Sequence, residues 1–497
     1  MKKIRIILAI LLILSFISAS CSGNPDGVND TTTVPAGTGT ESIETEAAET
    51  GRLGVKDSLP ADLNYNGAAF RIFSSNESKN EFIQGPAEQS GDIVFDTVIE
   101  RNMIVEERLN VKFEYHAPTY ALWEIAGVIR TVVLAGDDVY DLIIAPQYGM
   151  CLLVNEGLFL NVLDGKYFNF SEPWWNLNYM REISIGKNKL FYLVGDYFID
   201  MLRGTRILYF NKNLWEDYFP GNDLYDIIFD GKWTLEKMTG YVKQVYSDLN
   251  GDGVRDKEDM YGYVTTETYS SVDAFSFATD IEFIKRDADG LITLNINNEK
   301  SVKLAEMLYN LFYNEGSTLF PDTDTVMASF QAGNILFMGN GTFVRAEMLR
   351  DMEKNFGIIT NPKFDETQKN YRSVVADGQN LGVVPITTSA GNLEMTSAVV
   401  EALNAESYRR VVPAYYETAL KVKYTRDDVS SQMIDLIRDS TMTTFVFAFY
   451  ASMNDIGAIF RTLVTNKSID FTSEYAKLES GALAGLEKLQ AAFLENY

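Results

Sequence analysis

The run Leu142-Ile143-Ile144-Ala145-Pro146 is apolar at every position. A strand tolerates that pattern when both of its faces are covered, which is the environment of a parallel sheet flanked by helices. The segments before it agree. Phe70-Arg71-Ile72-Phe73 reads as a strand. Residues 92 to 109 carry a helical stripe through Phe95, Val98, Ile99 and Leu109, and Val111-Lys112-Phe113-Glu114-Tyr115 alternates as a strand should. Thr131 to Leu134 closes a second helix before the turn Ala135-Gly136-Asp137-Asp138. Strand, helix, strand, helix, strand predicts an α/β sheet, in which ligands collect at the carboxyl ends of the strands. Gln147 and Tyr148, just past the third strand, are therefore candidate ligand contacts.

A second region begins near Tyr167. Leu190 to Val194, Ile207 to Phe210, Tyr261 to Val264, Ile335 to Met338 and Leu381 to Val384 read as strands, and Val242 to Tyr246 as helix. After residue 391 the pattern turns mainly helical, with apolar segments at Val399 to Leu403 and Met433 to Ile437. Some 440 residues follow position 57, too many for one simple core and enough for two lobes.

The N-terminus reads as an export signal. Lys2, Lys3 and Arg5 precede an apolar run from Ile6 to Ile17 that is short for a membrane span. Ser18-Ala19-Ser20 then lead to Cys21. Small residues before a cysteine suit a peptidase that cuts ahead of a lipid-modified thiol, and the pattern resembles the bacterial lipobox. It departs from it at Ser18, where an aliphatic residue is usual. The signal peptide is placed at 1–20, with Cys21 as the lipidated residue and the cell membrane's outer face as the location. Residues 21–56 read as a tether: Thr, Gly, Ser and Glu dominate, no aromatic occurs, and such a chain cannot bury enough apolar surface to offset its ordering entropy.

Composition excludes several chemistries. The formal charge of -26 disfavours nucleic acid and anionic membrane surfaces as partners. His116 is the only histidine, so no histidine-rich zinc site forms and a catalytic triad would depend on it alone. It lies at a strand end and reads as structural. Cys151, in Gly149-Met150-Cys151-Leu152-Leu153, reads as a buried inert thiol. Neither a Gly-x-Ser-x-Gly elbow nor a phosphate-binding Gly loop ending in Lys-Ser or Lys-Thr occurs.

The sharpest local motif runs from Asp248 to Asp259. Asp248, Asn250, Asp252, Asp256 and Asp259 fall at positions 1, 3, 5, 9 and 12 of an EF-hand calcium loop, Gly253 at position 6 and the Val254 carbonyl at position 7. Asp replaces the usual Glu at position 12. Tyr261 to Val264 reads as a strand, so flanking helices are not present on both sides. The expectation is a lone structural Ca2+ clamp, with a metal-free acidic turn as the alternative.

Several segments, in order, are similar to the extracellular solute-binding proteins of family 1 that serve ABC importers, in their Gram-positive lipoprotein form. They are Asp92 through Tyr115, Ala135 through Asp141, Trp174-Trp175, Gly231-Lys232-Trp233-Thr234, the calcium-like loop, Phe356-Gly357-Ile358, and Pro413 through Glu417 followed by Lys423-Tyr424. The resemblance implies a two-lobed periplasmic-binding-protein-like α/β fold of type II with a hinge and an interlobe cleft. The expected division is 57–165 with 330–390 as lobe 1, and 166–329 with 391–497 as lobe 2. Asn340-Gly341-Thr342-Phe343 resembles the Asn-Gly-Pro-Trp turn that supplies a sugar-stacking aromatic in the maltodextrin-binding branch, with Thr and Phe in place of Pro and Trp. It makes Asn340 and Phe343 candidates. Trp174, Trp175 and Tyr197 are further aromatic candidates, and Asp196 is a candidate acceptor for hydroxyl protons. The implied activity is capture of a sugar or other small polar solute by a monomer that hands it to permease subunits, without catalysis. A surface glycoside hydrolase and a calcium-dependent adhesion module are the alternatives. A hydrolase needs two carboxylates straddling the bond, a separation that sequence does not display.

Overall fold

The structure is a computed structural model. It describes residues 52–74, 83–86, 88–117, 124–266, 270–314, 318–320, 322–349, 352–376, 378–416 and 428–495. The signal peptide, Cys21 and nearly all of the tether lie outside them.

The first sheet grows from the N-terminal pattern. β1 (Ala68–Ser74), β2 (Val111–His116) and β3 (Leu142–Pro146) are joined by the helices Ile93–Leu109 and Ile125–Leu134. β1 pairs in parallel with both of the others, Phe70 opposite Phe113 and Ile72 opposite Leu142. The β3 residues are buried throughout, as an all-apolar strand requires. The first helix starts at Asp92, whose carboxylate accepts from the Val94 and Phe95 amides, and stops at Asn110 in the left-handed region (φ 49°). It buries Val94, Val98, Val105 and Leu109, and also Arg101 and Asn102. Arg71 locks β1 to the approach of β3: its amide and Nε donate to Asp141 Oδ2 at 2.8 and 2.9 Å, and its Nη2 to Oδ1 at 2.6 Å.

The second sheet contains β4 (Arg206–Asn211), β5 (Tyr261–Val264), β8 (Thr318–Leu319), β9 (Ile335–Thr342) and β10 (Phe356–Ile359) in the order β10-β4-β9-β5-β8. A hairpin of β6 (Ile284–Arg286) and β7 (Ile292–Leu294) lies between β5 and β8 in the chain. β12 (Asn380–Val383) returns to the first sheet antiparallel to β3, giving the order β12-β3-β1-β2.

The chain passes between the sheets more than once, and the passages lie side by side. Thr205 bridges Val375, and β11 (Ser373–Val374) pairs in parallel with β13 (Thr441–Met442). The helix Ala390–Glu406 packs on the Ile93–Leu109 helix of the first sheet, whereas the helix Asp428–Asp439 packs on β10 of the second. Of the last helices, Ile459–Thr465 packs on Ser270–Ala278 and Glu299–Phe312, and Phe471–Glu495 reaches both Glu299–Phe312 and the Val154–Glu156 turn. All of this belongs to one contact unit, Thr50–Tyr497.

Four expectations differ from this arrangement. β9 and β10 fall within 330–390, expected with lobe 1, yet they pair with β4 and β5. Likewise 391–406 packs on the first sheet rather than with lobe 2. An apolar strand such as Ile335 to Met338 satisfies either sheet, and only its distant partners decide between them. Leu190 to Val194 forms no regular strand; Leu193 makes a single antiparallel bridge to Gly382. The helix expected at Val242 to Tyr246 is Leu235–Val242, because the chain must leave it for Ser247 to bridge Met260 at the mouth of the acidic loop.

Candidate ligand cleft

Beyond the carboxyl end of β3, three cavities adjoin along the passages between the sheets. The largest, about 840 Å3, is lined by Asn176, Tyr179 and Glu182 on one side, Ile228, Phe229 and Gly231 on another, and the crossing residues Lys369 to Arg372 and Arg438 to Thr443. A second, about 250 Å3, shares Asn176 and Arg438 with it. A third, about 460 Å3, shares Glu182, Arg372 and Met442. Through these shared residues they form a lobed cleft whose lining mixes polar groups with aromatic walls.

The candidate residues distribute unevenly over it. Trp174, Trp175 and Asp196 all line the second cavity. The tryptophans are wall rather than exposed platform, being 1% and 7% exposed. Their indole N–H groups donate at 2.9 Å to the two oxygens of Glu401, which also accepts the Asn169 amide at 3.1 Å. Burial pushes the Glu401 carboxyl up to about 7 against these hydrogen bonds. Burial likewise pushes the Asp196 carboxyl up to about 7, with Arg52 and Arg438 pulling the other way. Asp196 is thus a carboxyl at the cavity wall that titrates near neutrality.

Tyr197 is turned away from the cavities. Its hydroxyl donates to the Leu193 carbonyl and its amide to Asn404 Oδ1. Phe343 is 1% exposed and meets Tyr416, a wall of the second cavity, edge to face. Asn340 lies in β9, with its side chain outside the described set. Gln147 is buried behind the wall: it accepts the hydroxyl of Tyr179, which lines the largest cavity, at 2.5 Å. Tyr148 on the same turn is half-buried and lines none of the three.

The residues that sequence reasoning missed sit mostly on the crossings. Arg438 separates the first two cavities, with its guanidinium over the Tyr416 ring and its Nε on Asp439 at 3.0 Å. Arg372 stands between the first and third, with Nε on Asp280 at 2.8 Å. Glu182 accepts the Phe445 amide at 3.0 Å, and burial raises its pKa. No local motif marks these positions. The available signal was a pair of cations, Lys369 and Arg372, in a chain with 69 acidic and 43 basic residues.

The acidic loop is away from these cavities. Asp248 accepts the Gly251 and Gly253 amides at 2.7 and 2.9 Å, Asn250 accepts from Asp252 at 3.0 Å, Asp252 from Val254 at 2.7 Å, and Asp256 from Glu258 at 2.8 Å. Asp259 closes it, accepting the Leu249 amide at 3.3 Å and the Tyr246 hydroxyl at 3.1 Å. Gly251 and Gly253 take φ of 75° and 74°, so the sharp turn is present. No group of three His, Cys, Asp or Glu side chains among the described residues is arranged to hold a metal ion. A bound ion therefore requires carboxylates that now serve backbone N–H groups to turn toward a common point. Elsewhere, Cys151 is buried and free, and His116 meets Tyr140 edge to face at 5.4 Å.

No family model matches the chain, and no curated protein matches it. Solved structures do. The galacto-N-biose/lacto-N-biose I-binding protein of an ABC transporter from Bifidobacterium longum, in complex with lacto-N-biose, is 11% identical with a TM-score of 0.56, covering 85% of this chain and 98% of that one. A cyclo/maltodextrin-binding protein complexed with maltotetraose is 13% identical at 0.54, covering 85% and 97%. UgpB from Mycobacterium tuberculosis, in complex with glycerophosphocholine, is 12% identical at 0.54, covering 85% and 100%. At these identities the likeness is one of architecture, and it extends over the full length of each of those proteins: this chain has the two-lobed, periplasmic-binding-protein-like α/β fold of solute binders.

Proposed function

We propose that the protein captures a carbohydrate in the cleft beside the interlobe crossings and delivers it to the permease of an ABC importer. The observation that carries this reading is the cleft itself. It is large, mixes polar with apolar lining, is walled by Tyr179, Tyr371, Trp174 and Trp175, and is placed where chain passes between two α/β halves. Binders of lacto-N-biose and maltotetraose share the architecture. Binding without catalysis is part of the reading, and Asp196 and Asn176 are the polar groups assigned to ligand hydroxyls in the smaller cavity.

The lipid anchor belongs to the same proposal. Its support is the sequence from Lys2 to Cys21 and the polar stretch after it; no described helix is long and apolar enough to cross a membrane. The assignment to Gram-positive-type lipoproteins rests on the motif order along the chain. Calcium at 248–259 is proposed on the order of its oxygens and on the turn at Gly253.

The test is a thermal-shift screen of the full chain against mono- and oligosaccharides. A ligand that binds only the folded state raises the melting temperature by mass action. A saturable shift with one sugar class is expected. No shift with any sugar, together with release of reducing ends from a polysaccharide, would move the assignment to a glycoside hydrolase.

A further inference from the structure

The hydrogen-bonding capacity left over in the largest cavity is lopsided. Its lining holds three cations, Lys369, Arg372 and Arg438, against two carboxylates, Glu182 and Asp439, in a chain where acids outnumber Lys and Arg by 69 to 43. Both carboxylates already have partners: Glu182 takes the Phe445 amide at 3.0 Å, and Asp439 takes Nε of Arg438 at 3.0 Å. Two of the cations keep bonding capacity to spare. Arg372 spends Nε on Asp280, but its Nη1 has only the Met442 thioether, a weak acceptor. Lys369 is exposed and makes no ion pair among the described residues.

A third group points the same way. Thr443 is fully buried and lines this cavity, yet its hydroxyl finds no partner. Buried polar groups are rarely left so. Lys369 and Arg372 lie just before and at the approach to β11, and Thr443 directly follows β13. The two strands run parallel, so Arg372 and Thr443 flank the pair at opposite ends, but all three residues line the one cavity, and Arg372 Nη1 reaches Met442, the neighbour of Thr443, at 2.8 Å.

We propose that this cavity takes an anionic group, so that the ligand is an acidic carbohydrate bearing a carboxylate or a sulfate ester. Arg372 and Lys369 supply the charge, and Thr443 donates a hydrogen bond. The inference rests on the carbohydrate-binding reading and narrows it. A guanidinium Nη that trades a thioether for an anionic oxygen gains a charge-assisted bond, and Lys369 gains a counter-charge that a neutral hydroxyl does not supply.

The experiment is calorimetric titration of the full chain with matched trisaccharides over several linkages: the neutral sugar, its uronic-acid counterpart and its sulfate ester. In the linkage that binds, an acidic member is expected to bind about tenfold or more tightly than the neutral one. The preference should shrink as salt rises and disappear in Arg372→Gln, while Arg372→Lys retains part of it. The carboxylate and sulfate arms separate the two sources of charge. A neutral member that binds as tightly as its acidic counterparts overturns the inference and leaves the carbohydrate reading standing. So does an acidic preference that survives Arg372→Gln. If no member binds in any linkage, the carbohydrate reading falls and this inference with it.

Discussion

The indole of Trp174 donates to Glu401 at 2.9 Å, joining the wall of the smaller cavity to the helix Ala390–Glu406 that covers the first sheet. Trp175 uses the other oxygen of the same carboxylate. Replacing Glu401 with Ala leaves two buried indole N–H groups and the Asn169 amide without their acceptor. Each buried donor left unsatisfied costs about 1–3 kcal/mol, so Glu401→Ala should lower the urea midpoint strongly and alter tryptophan fluorescence. An unchanged midpoint would show that water replaces the carboxylate.

The same residue sets a pH dependence. Burial raises Glu401 from an ordinary 4.5, and Asp196 from 3.8, to about 7. Above pH 7 both are ionised, folded or unfolded, and the folded state bears the cost of burying charge. Between the ordinary and the raised values the folded protein holds protons that the unfolded chain has released. Below the ordinary values both states are neutral. The contribution to stability is therefore full in acid and lost as pH rises through 7. Glu401→Gln cannot titrate, so wild type should gain stability relative to this variant as pH falls from about 8 to 5. Urea unfolding of both proteins across that range checks it, and a constant difference would contradict it.

β12 admits no side chain at position 382. A Cβ there would run into the hydroxyl and ring of Tyr197, in a strand paired with Leu193 on one side and Ile144 on the other. Gly382→Ala should cost about 1–3 kcal/mol as an overpacked site. Adding Tyr197→Phe should recover part of that loss by removing the colliding oxygen, and a double-mutant cycle measures the coupling. Purely additive losses would place the strain elsewhere.

For the 248–259 loop, calcium should raise the melting temperature over chelator by mass action. Asp248→Ala should abolish that shift, because it removes both the first ligand and the acceptor that shapes the Gly253 turn. A calcium shift that persists in Asp248→Ala would point to another site, and no shift in the wild type would leave the loop as an acidic turn held by its own backbone.

Much of the first sheet was legible in the chain. Its three parallel strands carry either continuous apolar runs or clean alternation, and its helices have an Asp92 cap or a Gly136 stop nearby. Trp174, Trp175 and Asp196, candidates from the sequence, line one cavity. The lobe membership of β9 was not, because Ile335 to Met338 looks the same whichever sheet it joins. Nor were Arg372, Lys369 and Thr443, which come to line one cavity only when β11 meets β13, some 70 residues further along the chain. Phe343 matched a known turn in sequence, but the ring of Tyr416 stands against it.

Burial of Cys151 has a practical consequence. The thiol lies among apolar side chains, and burial holds it far from ionisation. No other cysteine occurs beyond Cys21. With Cys21 replaced, a single cysteine introduced at exposed Asn370, on the rim of the largest cavity, becomes the one position a maleimide dye reaches, so labelled protein would report ligand arrival by fluorescence without further engineering.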